Sequence, residues 1–257
     1  MKFLLIFIAG LIFGSFMNVC IYRLPRGLSI IRPGSMCPNC HRPIKPIDNI
    51  PVLSFLFLRG RCRYCGERIH WRYPLVEFLN GLLWVIALSR SFSIPVLLFL
   101  SSLVIITFID IEHMIIPDII TIPGTFSGIL LSPFIIDPFL RYERLGFMAS
   151  LTGAITGFLL FLIIAKAGTW IFKKEAMGGG DIKLMAMVGA FTGWKGVLLT
   201  TFLGSIIGSI VGIIILIQNK GRRDTIIPFG PYLAFGAIVS ILFGSEVMFW
   251  VNRAVVQ

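Results

Sequence analysis

Apolar residues run along this chain in stretches long enough to cross a lipid bilayer, and no other feature constrains its fold as tightly. A bilayer core takes about 20 apolar residues per helix. The 257 residues are 56% hydrophobic and 14% charged, with a mean hydropathy of +0.91. The apolar runs fall at 3–22, 74–89, 93–110, 115–136, 147–172, 183–194, 197–217 and 226–250. Backbone groups in hydrocarbon must be satisfied within the span. The runs therefore predict an all-α fold, a polytopic integral membrane helix bundle of about eight spans. The second and sixth runs are short. The sixth, LMAMVGAFTGW, carries glycines and fits either a half-helix or a helix that starts in the loop before it.

A formal net charge of +11 suggests nucleic acid as a partner only in a soluble chain. Here the positive-inside bias accounts for it, and no nucleic-acid partner is expected. Ten of the 23 Lys and Arg lie from Arg23 to Arg72, and six more are Lys173, Lys174, Lys183, Lys220, Arg222 and Arg223. The predicted spans put all of these on one side, which is then cytoplasmic. Lys2, Arg90, Arg141, Arg144, Lys195 and Arg253 fall on the other, and Lys166 lies within a span. Both termini are then extracytoplasmic, with membrane lipid around the bundle. Met1–Cys20 has a single Lys and no small-residue cleavage pattern, so a retained first helix is expected rather than a signal peptide.

One hydrophilic segment, 23–73, interrupts the pattern, and its prolines argue against a long helix. It carries CPNC and CRYC, placing Cys37, Cys40, Cys62 and Cys65 in two C-x2-C pairs with 21 residues between them. That spacing fits one tetrahedral site for structural zinc. A cytoplasmic loop is reducing, which favours thiolate–metal bonds over disulfides. His41 and His70 are rival ligands. Cys20, in the first run, reads as a small buried apolar residue. The expected division is 1–22 first transmembrane helix, 23–73 zinc-binding domain and 74–257 membrane-embedded domain.

With twelve acids in the chain, each can be weighed. Glu77, Asp110, Glu112, Asp118 and Asp181 fall at the inner membrane edge, where carboxylates mark function or pairing. Asp110 closes the third run in ITFIDIEHMIIPD, and Asp181 follows three glycines in MGGGDIKL. The two are 71 residues apart. Two facing aspartates can share one proton, one carboxylate activating water while the other protonates the carbonyl or leaving amine. Gly178, Gly179 and Gly180 permit close backbone approach. The alternative is that Asp110 and Asp181 sit in structural ion pairs with Lys183, an Arg or His113. Glu77, opening the second span, and Arg23, ending the first, form a second candidate cluster or a pair that pins the loop.

These segments together resemble the bacterial type IV prepilin peptidases, membrane aspartic proteases of the GxGD type. The resemblance covers nearly the whole chain. It rests on GSFMNVCIYRLPRG (Gly14–Gly27), the cysteine segment Cys37–Glu77, FIDIEHMIIPD (Phe108–Asp118), MGGGDIKLMAMVGAFTGW (Met177–Trp194) and IPFGPYLAFG (Ile227–Gly236). It implies that Asp110 and Asp181 are the catalytic pair, and that Gly178 and Gly180 belong to the GxGD motif. Asp118 and Lys183 are expected in support, and the four cysteines are expected to ligate zinc. It implies cleavage of a basic leader from prepilin or pseudopilin precursors at the cytoplasmic face of the bacterial inner membrane. The pilus, secretion and competence precursors all fit that class. It further implies N-methylation of the new terminus with S-adenosylmethionine, for which Glu77 and Arg23 are the candidate residues. No G-x-G-x-x-G after a strand marks a nucleotide site. A peptidase without the methyl step, a proton- or cation-coupled transporter, and a membrane anchor for a zinc-mediated interaction are the competing readings.

Overall fold

The computed structural model describes residues 1–90, 93–140, 143–173, 177–218 and 227–256. Arg141, Lys174, Lys220, Arg222 and Arg223, counted above, lie outside the described residues, as does the start of the last expected span at 226. The described residues form eight helices: α1 (Lys2–Arg23), α2 (Leu53–Phe57), α3 (Arg72–Ser89), α4 (Ile94–His113), α5 (Asp118–Leu131), α6 (Phe147–Phe172), α7 (Gly179–Gln218) and α8 (Gly230–Val256). Five of them, α1, α4, α6, α7 and α8, are long and apolar enough to cross a membrane. Many large apolar side chains point outward, among them Phe3, Ile94, Phe126 and Phe202. That is the expected state of a lipid-facing surface.

By packing, the chain divides into two compact units, residues 1–91 and 92–257. The division drawn from chemistry at 22 and 73 separates loop from span, whereas packing places α3 with α1. In the first unit these two helices form a close hairpin. A side chain at Gly10 would lie 2.7 Å from the Cα of Gly81, and one at Gly14 would lie 2.6 Å from the Cα of Glu77. Small residues let membrane helices approach to backbone contact. Two amides then lock the register: Asn80 Nδ2 donates to the Gly10 carbonyl at 2.7 Å, and Asn18 Nδ2 to the Tyr73 carbonyl at 3.1 Å.

In the second unit, α7 is the organising element. Its 40 residues would extend about 60 Å, twice the bilayer core. It does not run straight. Gly193 has φ 68° and ψ −179°, a conformation open to glycine and almost no other residue. Residues 179–192 pair antiparallel with α6, Gly153 meeting Gly189 and Gly157 meeting Met185. Residues 194–218 pair antiparallel with α8, Gly196 meeting Ser240 and Gly204 meeting Leu233. Gly196 also packs directly on the Thr192 side chain, so the chain folds back on itself here. The expected sixth and seventh spans are thus the two arms of α7, and the sixth begins in the loop before it, at Gly179. The α6 contact is backbone on backbone: Gly153 meets both Gly189 and Gly193, and Gly157 meets the Met185 carbonyl.

The fourth expected span forms over narrower bounds than the run 115–136: α5 has 14 residues, about 21 Å of helix. Pro117 caps it at the start, and a 3-10 turn over Ser132–Phe134, carrying Pro133, ends it. Proline cannot donate the backbone hydrogen bond that would continue the helix.

Candidate active site and metal centre

The loop segment builds its metal centre from two copies of one small turn. In the first, the Cys37 N–H donates to the Arg42 carbonyl at 3.0 Å and the His41 N–H to the Cys37 carbonyl at 2.9 Å. In the second, the Cys62 N–H donates to the Glu67 carbonyl at 2.8 Å and the Gly66 N–H to the Cys62 carbonyl at 3.0 Å. Bridges Met36 to Pro43 and Arg61 to Arg68 close the two turns in the same register. The residue after each pair, His41 or Gly66, has positive φ. The four sulfurs lie within 4.8 Å of one another. Tetrahedral zinc with Zn–S bonds of about 2.3 Å requires sulfurs roughly 3.8 Å apart. Cys37 Sγ and Cys65 Sγ are 3.8 Å apart, so the cluster fits zinc.

Backbone N–H groups aim at two of the sulfurs. N–H groups of Cys65 and then Tyr64 aim at Cys62 sulfur and hold its pKa down to about 7. Cys65 is held up to about 11: the Glu67 N–H pulls it down, but burial and the neighbouring thiols outweigh that. Neither histidine joins the cluster. His70 Nδ1 accepts the Arg72 N–H at 3.1 Å and its ring stacks on Trp71. Arg63, inside the second turn, clasps Asp48 through Nε at 2.8 Å and Nη2 at 2.6 Å. That grip holds the Asp48 carboxyl below its usual range.

Asp110 and Asp181 reach one level through helix register. Rings of Phe99 on α4 and Phe191 on α7 stack with centroids 4.3 Å apart and an interplanar angle of 11°. Asp110 lies eleven residues after Phe99, and Asp181 ten residues before Phe191. At about 1.5 Å per residue on antiparallel helices, those offsets bring both carboxylates to the same depth. Both are buried, at 5% and 9% relative exposure, and close enough to act on one another electrostatically.

Each aspartate sits at a helix end. α4 stops one turn after Asp110, where Met114 turns left-handed and its N–H donates to the Asp110 carbonyl. Asp181 lies in the first turn of α7, among N–H groups with no intrahelical partner, and its own N–H donates to the Gly178 carbonyl at 3.2 Å. The Asp110 side chain accepts at Oδ2 from the Gly230 N–H, at 2.9 Å and buried. Nothing in the spacing of the apolar runs or the acids assigns Gly230 a role. A side chain there would come within 2.6 Å of Asp110 Oδ2. The Gly-Pro step opening α8 was the available signal, because it marks a helix start with a bare backbone.

The ion-pair alternative for the two aspartates depended on Lys183, an Arg or His113. Lys183 Nζ instead meets Asp118 Oδ2 at 2.6 Å, tying the start of α7 to the start of α5. Among the described residues neither Asp110 nor Asp181 pairs with a basic side chain. The glycines divide in function. Gly180 has no room for a side chain, since a Cβ would lie 2.8 Å from the Cβ of Ile116, whereas Gly178 and Gly179 have space. A groove of about 490 Å³ lined by Lys166, Thr169, Trp170, Met177, Gly178 and Gly179 opens there.

The Glu77 cluster lies in the first unit. Glu77 Oε2 accepts the Val52 N–H at 2.7 Å, and Ser15 also donates to the carboxylate. Val52 has φ 60°, a strained conformation for a β-branched residue. Arg23 is not its partner. The Arg23 guanidinium donates to the carbonyls of Ser29, Pro33 and Gly34 at 2.9, 2.7 and 3.2 Å.

A membrane helix bundle with two buried aspartates at one depth, one of them in a G-x-G-D turn, is the architecture of the GxGD class. Residues 8–91 match the bacterial peptidase A24 N-terminal domain, and residues 97–213 match the type IV leader peptidase family. A prepilin leader peptidase/N-methyltransferase of Aeromonas hydrophila is 35% identical over 96% of this chain and 93% of its own length. Proteins of that description from Bacillus subtilis (36% identical, covering 97% and 98%) and Pseudomonas aeruginosa (34%, covering 93% and 89%) are similar along nearly their whole lengths. No solved structure matches. The chain belongs to the type IV leader peptidase family. Nothing in these comparisons supports the transporter reading.

Proposed function

We propose that this chain removes the basic leader from prepilin or pseudopilin precursors with Asp110 and Asp181, and then methylates the new N-terminal amine with S-adenosylmethionine. The observation that carries the peptidase reading is two buried carboxylates at one depth with, among the described residues, no basic side chain paired to either. Two such groups share a proton, because like charges at short range do not both ionise readily. The ionised carboxylate takes a proton from water as its oxygen attacks the scissile carbonyl carbon. The protonated one delivers its proton to the carbonyl oxygen, giving a gem-diol. On collapse the C–N bond breaks, the first carboxyl passes its proton to the departing amine, and the second regains one from a diol hydroxyl. The Gly230 N–H orients Asp110 throughout. The groove beside Gly178 gives an extended precursor a route to Asp181.

The charge bias along the chain supports a cytoplasmic active face in the bacterial inner membrane, with both termini outside. Four cysteines hold structural zinc and fix the loop. For the methyl step, S-adenosylmethionine supplies the activated methyl group when bound. Glu77 is the residue we assign to receive the new amine and its proton, since methyl transfer needs that amine neutral. Its burial and the strained Val52 it holds support this reading. Arg23 has both terminal amino groups committed to loop carbonyls. A forked contact to the co-substrate's carboxylate therefore requires the 29–34 segment to release it.

The test incubates purified protein with a prepilin and a labelled methyl donor. Asp110→Asn and Asp181→Asn should each abolish leader cleavage while the protein remains inserted and loaded with zinc. Asp118→Asn should have a milder effect, because the Lys183 pair is exposed and such pairs contribute about 0–1 kcal/mol. Full cleavage by either the Asp110 or the Asp181 variant removes the peptidase assignment.

A further inference from the structure

Ile116 lies in the link between α4 and α5, four residues from the left-handed turn at Met114 through the helix-capping Pro117. Its side chain stands between two backbones that matter to the active site. On one side it meets Gly180, the residue before Asp181. A Cβ built there lies 2.8 Å from Ile116 Cβ and 3.4 Å from its Cγ1. On the other side it meets Gly230, whose N–H holds Asp110. A Cβ built there lies 3.2 Å from Ile116 Cδ1. Ile116 is the side chain common to the nearest neighbours of both glycines.

We propose that Ile116 is a positioning residue, a spacer whose side chain sets the separation between the Asp110 and Asp181 carboxylates. The inference rests on those two aspartates being the catalytic pair. The link that carries Ile116 is anchored at each end. The Met114 N–H bonds back to the Asp110 carbonyl at 2.9 Å, and Asp118, two residues on, pairs with Lys183 of α7. Pro117 holds the preceding residue extended. A β-branched side chain has little freedom at χ1, so isoleucine is a stiff spacer where leucine or methionine would yield. Both glycines are needed for the contact: a side chain at either would push Ile116, or the aspartate beyond it, out of place. Acid–base chemistry between two carboxylates and a water depends on their separation, and a displacement of about 1 Å costs on the order of 100-fold in rate.

The experiment measures kcat and KM for leader cleavage, together with the melting temperature, for Ile116→Val, Ile116→Ala and Ile116→Phe. Asp181→Asn is run beside them. Valine keeps the branched Cβ against Gly180 but loses Cδ1, the atom that meets Gly230, so its kcat should lie between that of wild type and that of alanine. Alanine and phenylalanine, a short and a long spacer, should each lower kcat by roughly 10–100-fold with KM within about threefold. Wild-type kcat in the alanine variant overturns the proposal. So does a kcat that falls across the series only in step with melting temperature, valine included. If Asp181→Asn still cleaves, the assignment of the catalytic pair has failed instead, and the two failures are told apart within one set of assays.

Discussion

Gly230→Ala tests the contact that the chain alone conceals. The added methyl would lie 2.6 Å from Asp110 Oδ2, about 0.8 Å inside an ordinary 3.4 Å contact. Either the carboxylate or the start of α8 must shift by that amount. The present 2.9 Å hydrogen bond then lengthens to roughly 3.7 Å, beyond useful range. A misplacement near 1 Å at a reacting group costs about 100-fold, equivalent to about 2.7 kcal/mol of barrier. Stability should fall less, by about 1–3 kcal/mol, as usual for one added methyl in a packed site. The assay is steady-state cleavage of a purified prepilin in detergent or lipid, with bound zinc as the control for folding. We expect kcat down about 100-fold, KM little changed and zinc retained. A kcat within threefold of wild type would show that neither the hydrogen bond nor the bare backbone at Gly230 matters.

Purified protein should carry about one zinc per chain. A Cys37→Ser, Cys62→Ser variant should lose it and become protease-sensitive in the 24–71 loop; equal zinc by elemental analysis in both proteins refutes the site. Glu77→Gln should abolish methylation and leave cleavage intact, whereas loss of both with a lowered melting temperature assigns Glu77 to holding Val52 alone. Because Arg63 depresses the Asp48 pKa, the pair's stabilisation is complete above the unfolded value near 3.9 and lost as pH falls through the folded one. Asp48→Asn should therefore make the loop more protease-sensitive at pH 7 and flatten its acid response below about pH 4, and matching digestion profiles for the two proteins at pH 7 refute this.

Local signals carried a large part of this protein. A run of about 20 apolar residues requires a spanning helix wherever it lies. A C-x2-C pair needs only a tight turn, so the two knuckles, their like register and Cys20 as a buried small residue were legible from composition and spacing. The GxGD segment and its partner around Asp110 stood out by resemblance.

What the tertiary structure decided are the meetings between distant segments. The apolar run 115–136 does not reveal that α5 stops at Leu131, because hydropathy does not register where the hydrogen-bond ladder ends. Lys183 lies two residues from Asp181 in sequence yet reaches Asp118, because the helix points it at α5. Gly230, 120 residues from Asp110, gives its N–H to that carboxylate only because α4 and α8 meet there. Apolar periodicity records that a face is buried and not what buries it. Which glycine, which ring and which carboxylate share a level follows from backbone-close helix packing and from the reversal at Gly193. Those are properties of the assembled bundle rather than of any one segment.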